Sequence, residues 1–168
     1  PHFAVSVALE RDKRIEAAVV YNPITDDLFY SERGQGAFFR DSRLRVSGRS
    51  VIAESIFATG VPFLGIKGHD EFIEELRVIM AKSAGIRHFG AASLDLAFVA
   101  AGRYEGYWER NISSWDMAAG LLLVKEAGGI VTDFKGRDRM LETGSVIATN
   151  ASLDQDFRKL LKTAAKIT

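Results

Sequence analysis

In the first sixty residues the large apolar positions recur every second residue. From Phe3 to Leu9 the side chains of Phe3, Val5, Val7 and Leu9 alternate with the small Ala4, Ser6 and Ala8, which is the period of a strand. Its small face leaves room for a helix to approach closely. Arg11-Asp12-Lys13-Arg14 reads as a polar turn, Ile15 to Tyr21 as a second strand, and the two together as a hairpin. Asn22-Pro23 and Asp26-Asp27 punctuate the chain before a third short strand at Leu28-Phe29-Tyr30, and Gly34-Gln35-Gly36 leads into a fourth at Ala37-Phe38-Phe39.

The period changes at Asp70. Phe72, Ile73, Leu76, Ile79 and Met80 fall on one helical stripe, while Glu71, Glu74, Glu75, Arg77 and Lys82 are expected to face water and Gly85 to end the segment. Ser93 to Ala101 holds a single charge, Asp95, among apolar residues, so it predicts a helix buried on most sides and stopped by Gly102. A strand through Tyr104 to Trp108 follows, then a helix from Ser114 to Ala127 closed by Gly128-Gly129, and strands at Ile130 to Phe134 and Ser145 to Thr149. In the last helix Phe157, Leu160, Leu161 and Ala164 share a face, with Ser152 as its expected N-cap. Alternating strands and helices after an antiparallel first part predict an α/β (α+β) architecture. Residues 1–60 read as the sheet-rich remainder of an N-terminal α+β part, and residues 61–168 as a C-terminal α/β part.

Composition narrows the chemistry. The 168 residues carry 22 basic and 22 acidic side chains, so the formal charge is zero and net charge alone would not hold a polyanion. No charge-free stretch reaches the roughly 18 apolar residues of a bilayer span. A cytoplasmic location without membrane partners is the expectation. There is no cysteine, which removes thiolate nucleophiles, thiolate-held metals and disulfides. His2, His69 and His88 lie far apart in sequence, which favours a hard cation held by oxygen over zinc. Walker A, G-x-G-x-x-G and G-x-S-x-G motifs are all absent.

Two helix starts remain as candidate sites. At Ser113-Ser114-Trp115-Asp116, Ser113 and Asp116 have the spacing of a capping box, and Asp116 would also complement the helix dipole. The same aspartate, its rotamers limited by the helix and a packed indole, is suited to hold a metal ion given a partner acid. At Gly90-Ala91-Ala92-Ser93, small residues leave amides open to an oxygen-bearing ligand, although Ser93 also reads as a plain N-cap. Between them lies Glu109, either an exposed acid at a strand end or, if both helix starts face one cleft, a hydroxyl acceptor.

The segment WDMAAGLLLVKEAGGIVTDF from Trp115 to Phe134 resembles the C-terminal signature of the inositol monophosphatase family. FGAASLDLAFVAAGRYEGYWE from Phe89 to Glu109 resembles the segment before it, and FAVSVALE, VVYNP and ERGQGAFF match in order and spacing, most of all in the bacterial extragenic-suppressor branch. The resemblance implies a layered αβαβα sandwich, usually homodimeric and lithium-sensitive, hydrolysing phosphate monoesters with magnesium. Asp116 would bind metal and lie against substrate, Gly90, Ala91 and Ala92 would contact the sugar-alcohol, and Glu109 would accept its hydroxyl hydrogen bonds. Family members also carry a Glu-Glu pair and an Asp-Pro-x-Asp-Gly-Thr motif that supply most metal ligands; neither occurs here, so a longer parent is expected. The resemblance leaves other phosphatase substrates open: fructose 1,6-bisphosphate, a sulfated nucleotide or histidinol phosphate. It also leaves open a regulatory role on RNA or the transcription machinery, for which Arg33 to Arg49, with five arginines against Asp41 (5 − 1 = +4), is the local candidate.

Overall fold

The computed structural model of the chain describes residues 2–164. In chain order the elements are β1 (Val5–Arg11), β2 (Arg14–Asn22), β3 (Asp27–Glu32), β4 (Gly36–Phe39), β5 (Ser42–Arg43), β6 (Ile56–Thr59), α1 (His69–Met80), β7 (Gly85–Arg87), α2 (Ala92–Ala100), β8 (Gly106–Arg110), α3 (Ser114–Glu126), β9 (Gly129–Thr132), α4 (Met140–Thr143), β10 (Ser145–Asn150) and α5 (Asp154–Ala164). The strands β5, β6 and β7 and the single turn α4 were not anticipated. Each is too short for its own residues to display a period, and pairing with neighbours creates them.

The first sheet is an antiparallel meander, β1 to β5 in sequence order. Its register aligns Ala8, Ala18, Ser31 and Ala37 in one row, and Val7, Val19, Tyr30 and Phe38 in the adjacent row on the opposite face. Ala18, Ser31 and Ala37 are buried, and α3 packs across this face. The alternation in β1 thus does admit a helix on its small side, while its larger residues point outward, Val7 at 57% and Leu9 at 60% exposure. Glu126, at the end of α3, accepts the amides of Gly34 and Gly36 at 2.8 and 2.9 Å, tying the β3–β4 turn to the helix.

The second sheet runs β7-β6-β8-β10-β9, with β6 parallel to both β7 and β8, and β10 antiparallel to β8 and β9. Chain reversal around β6 places α1 on one face and α2 on the other, as in doubly wound sheets. Tyr107, Ala148 and Val131 face α2 and α3; Phe57, Trp108 and Ile147 face α5, where the Phe57 and Phe157 rings stack at 4.3 Å. A side chain at Gly120 of α3 would run into Leu96 of α2, so these buried helices cross closely only because that position is glycine. The layers are sheet, helices, sheet, helices; a further helical layer over the first sheet is not among the described residues.

Sequence expectations at α1 and α5 require correction: α1 ends at Met80, and Gly85 opens β7 instead of closing the helix. In α1, Ile73 and Met80 are exposed, whereas Glu75 is buried, accepting from the Trp108 indole at 3.0 Å and pairing with Arg110 at 2.6 Å. Burial pushes its carboxyl up, an effect that Arg110 opposes. At the start of α5, the acceptor for the Leu153 amide is the Asn150 side chain at 3.0 Å, not Ser152.

Candidate functional site

The parallel strands β6, β7 and β8 run the same way, so the residues leaving their C-terminal ends meet. Gly60 follows β6, His88 follows β7, and Glu109 is the penultimate residue of β8. All three line a cleft of about 390 Å³, in the crevice where open α/β sheets bind ligands. The start of α2 closes one side with Gly90, Ala91 and Ala92, and the start of α3 contributes Asp116. The five residues singled out in the sequence therefore share one cavity.

Gly90 turns the chain into α2 at φ +80°, a left-handed conformation that glycine adopts without strain. The first-turn amides of α2 have no partner within the helix by its geometry. Ser93 is not the cap: Ala91 occupies that position without a side-chain bond, and Ser93 is buried inside the first turn.

The capping box at Ser113 and Asp116 does not form either. Ser113 is the N-cap, but no side-chain bond closes it, and only its carbonyl is used, by the Asp116 amide at 3.1 Å. The indole of Trp115 is 71% exposed rather than packed, so backbone geometry alone directs the aspartate. Among the described residues the Asp116 carboxylate has no hydrogen-bond partner.

Glu109 is held more firmly. The Tyr107 hydroxyl donates to its carboxylate, and Gly60 lies so close that a Cβ there would collide with the carboxylate. Burial raises the Glu109 pKa, and the charge of Asp116 raises it further, while Tyr107 and His88 work the other way. His88 is itself fixed by a 2.9 Å contact from Nδ1 to the Thr59 carbonyl.

Asp95 was read in the sequence only as the single charge of a buried helix. It is 1% exposed and contributes to the wall of the same cleft, its Oδ1 has no partner among the described residues, and burial beside Glu109 lifts its pKa to about 8. The available signal was that lone acid in an apolar helix, two residues beyond the Gly90 to Ser93 segment. Gly60 and His88 gave no signal, because only strand pairing brings them near Glu109.

The acids Asp95, Glu109 and Asp116 thus surround a space that no lysine or arginine among the described residues lines. Among the described residues no three acids or histidines converge closely enough to hold a metal by themselves. Asp116 fits as one hard oxygen ligand for magnesium, which is commonly bound through one or two carboxylates together with water and phosphate oxygens. A larger cleft of about 600 Å³ beside α3 and α4 lacks this convergence: its Lys125 pairs with Asp138 and its Arg139 with Glu142.

The family model for the inositol monophosphatase family matches residues 1–167. The chain belongs to the inositol monophosphatase family. It is 51% identical over 162 residues to an inositol-1-monophosphatase of Rhizobium meliloti, covering 96% of this chain and 61% of that relative. It is 48% identical over 165 residues to the Nus factor SuhB of Pseudomonas aeruginosa, covering 97% of this chain and 60% of the relative. The crystal structure of the extragenic suppressor protein SuhB from Bartonella henselae superposes with a TM-score of 0.92 at 51% identity, over 95% of this chain and 62% of that one. The inositol monophosphatase fold expected from the signature segments is therefore present, and the chain spans about three fifths of the length of these relatives.

The Arg33 to Arg49 segment is largely engaged. Arg33 pairs with Glu16, Arg40 with Asp27 and Arg49 with Glu105, while Arg43 lies over the Phe38 ring. No helix among the described residues is long and apolar enough to cross a membrane.

Proposed function

We propose that these residues form the polyol-binding side of a magnesium-dependent phosphate monoesterase, with myo-inositol monophosphate as substrate and inositol and phosphate as products. The carrying observation is the Asp116 carboxylate, unpaired among the described residues, at a helix start, sharing a cleft with Glu109 and the open turn of α2. Asp116 would bind the metal with one carboxylate oxygen, and the remaining ligands would come from residues that polypeptides of the relatives' length carry. Magnesium, when bound, polarises phosphoryl oxygens and makes a water nucleophilic near neutral pH. The other tasks are positional, since phosphoryl transfer is served mainly by placement and electrostatics.

Glu109 accepts a hydroxyl hydrogen bond from the alcohol. Tyr107 donates to the same carboxylate and Gly60 leaves it room, so its orientation is set before substrate arrives. The amides at Ala91 and Ala92 donate to oxygen atoms of the alcohol. This set of acceptor and donors favours a polyol over the alternatives of fructose 1,6-bisphosphate, a sulfated nucleotide or histidinol phosphate. A homodimer in the cytoplasm belongs to the same proposal.

The test measures phosphate release from these four substrates by the polypeptide at its relatives' length. Inositol monophosphate is expected to be turned over fastest, with activity abolished by a chelator and restored by magnesium. Chelator-resistant turnover would overturn the metal reading, and preference for another substrate would overturn the polyol reading.

The name of the Pseudomonas aeruginosa relative, Nus factor SuhB, supports a second reading, binding to RNA or to the transcription machinery. Three of the five arginines proposed to serve it are paired with acids, which leaves little free charge. RNA binding that weakens steeply with salt and is lost on reversing Arg43 and Arg45 would support it.

A further inference from the structure

The cleft holds a buried acid that has no part in gripping the metal or the first hydroxyl. Asp95 lies in the first turn of α2, and its Oδ1 is enclosed by protein yet bonded to nothing among the described residues. An unpartnered oxygen of this kind costs free energy unless a water or a ligand completes it. The groups that share the cleft with it are Glu109 and Tyr107 from β8, Asp116 from α3, Ser93 from α2, His88 before α2, and His2, whose Nε2 is likewise buried and unpartnered among the described residues. Among the described residues no arginine or lysine lines this cavity, so an anion such as phosphate meets only the imidazoles of His2 and His88 beside three acids. Three convergent ligands for a cation are also lacking among the described residues. What remains is a neutral partner with hydrogen-bonding oxygens, and Glu109 already presents an acceptor for such a molecule on the adjacent strand.

We propose that Asp95 is a specificity-determining residue, reading a second hydroxyl of the sugar-alcohol beside the one held by Glu109. This rests on the polyol reading of the cleft. Together with the Ala91 and Ala92 amides, two hydroxyls gripped by side chains from the start of α2 and the end of β8 fix both position and rotation of the ring. A site built to bond a hydroxyl discriminates strongly against molecules lacking it, because its own buried polar group is then left unpaired. At neutral pH Asp95 retains its proton and acts as donor, and asparagine keeps a donor of the same reach.

The test compares kcat/KM for inositol monophosphate with that for an aryl phosphate lacking hydroxyls, in the polypeptide at its relatives' length. Asp95→Ala is expected to lower the polyol-to-aryl ratio tenfold or more, chiefly through KM, and Asp95→Asn to restore the ratio to within threefold. A ratio unchanged by alanine, or an asparagine variant as poor as alanine, overturns the assignment. If alanine prevents folding, Asp95→Leu serves with deoxy-inositol phosphates: one hydroxyl position to which the unmodified protein is sensitive should become indifferent in the variant, and unchanged sensitivity at every position overturns the assignment. Failure of the underlying polyol reading would appear differently, as unmodified protein that prefers the aryl phosphate from the outset.

Discussion

The two sheets use the same residue types in opposite ways. In the first, the small row Ala18, Ser31 and Ala37 is buried under α3 while Val7, Val19 and Tyr30 on the reverse face are exposed. In the second, Tyr107 and Trp108 are adjacent in sequence, point to opposite faces and are both fully buried, because helices cover both sides. Alternation therefore reports that a strand has two different faces; which of them is covered depends on what packs there. The second sheet also carries the cleft, since only it contains parallel strands whose ends converge. The first supports the site indirectly, through α3, whose approach the small row permits.

Four experiments would sharpen or break this contrast. The largest effect is expected at the cleft: Asp116→Asn should lower turnover on the order of a thousandfold or more. The melting temperature should stay unchanged, because the side chain is exposed and has no hydrogen-bond partner among the described residues. Near-normal magnesium-dependent turnover would end the metal role. Next, Trp108→Ala removes a ring buried against Phe157 and frees the Glu75 carboxyl of its indole donor, with a cost of about 3–5 kcal/mol by thermal or denaturant unfolding.

A further effect concerns pH. The Asp95 carboxyl has an ordinary value of 3.8 and a folded value of about 8, so the folded state binds the extra proton between them. Stability should fall as pH rises through that window, by at most about 1.4 kcal/mol per pH unit. Asp95→Asn should flatten the profile of melting temperature against pH; superimposable profiles would show that Asp95 is ionised in the fold. The smallest effect is expected on the outer face of the first sheet. Val7→Asp should change the stability of this chain by no more than about 0.5 kcal/mol, as for other exposed positions. A loss like that at Trp108 would show that this face is covered in solution.

Much of the site was legible because the family's signature segments coincide with local structure. Asp116 and the Gly90 to Ala92 turn each sit at a helix start that the sequence marks, and Glu109 sits at the end of an aromatic strand. Other features were hidden for physical reasons. Glu75 belongs by spacing to the polar face of α1, yet the Trp108 indole and the Arg110 guanidinium arrive from a strand more than thirty residues later and draw it inside. Asp95 is visible as a charge in an apolar helix, but its missing partner is a property of the packed cavity.

The sequence by itself determined the strand and helix periods, the small face of β1 and the acids that mark the cleft, because these follow from neighbours along the chain. Only the tertiary structure decided that the larger face of β1 is the exposed one, that Glu75 is buried, and that Gly60, His88 and Asp95 join Glu109 and Asp116 around one space. Burial and electrostatic environment are set by groups distant in the chain, which no local pattern records.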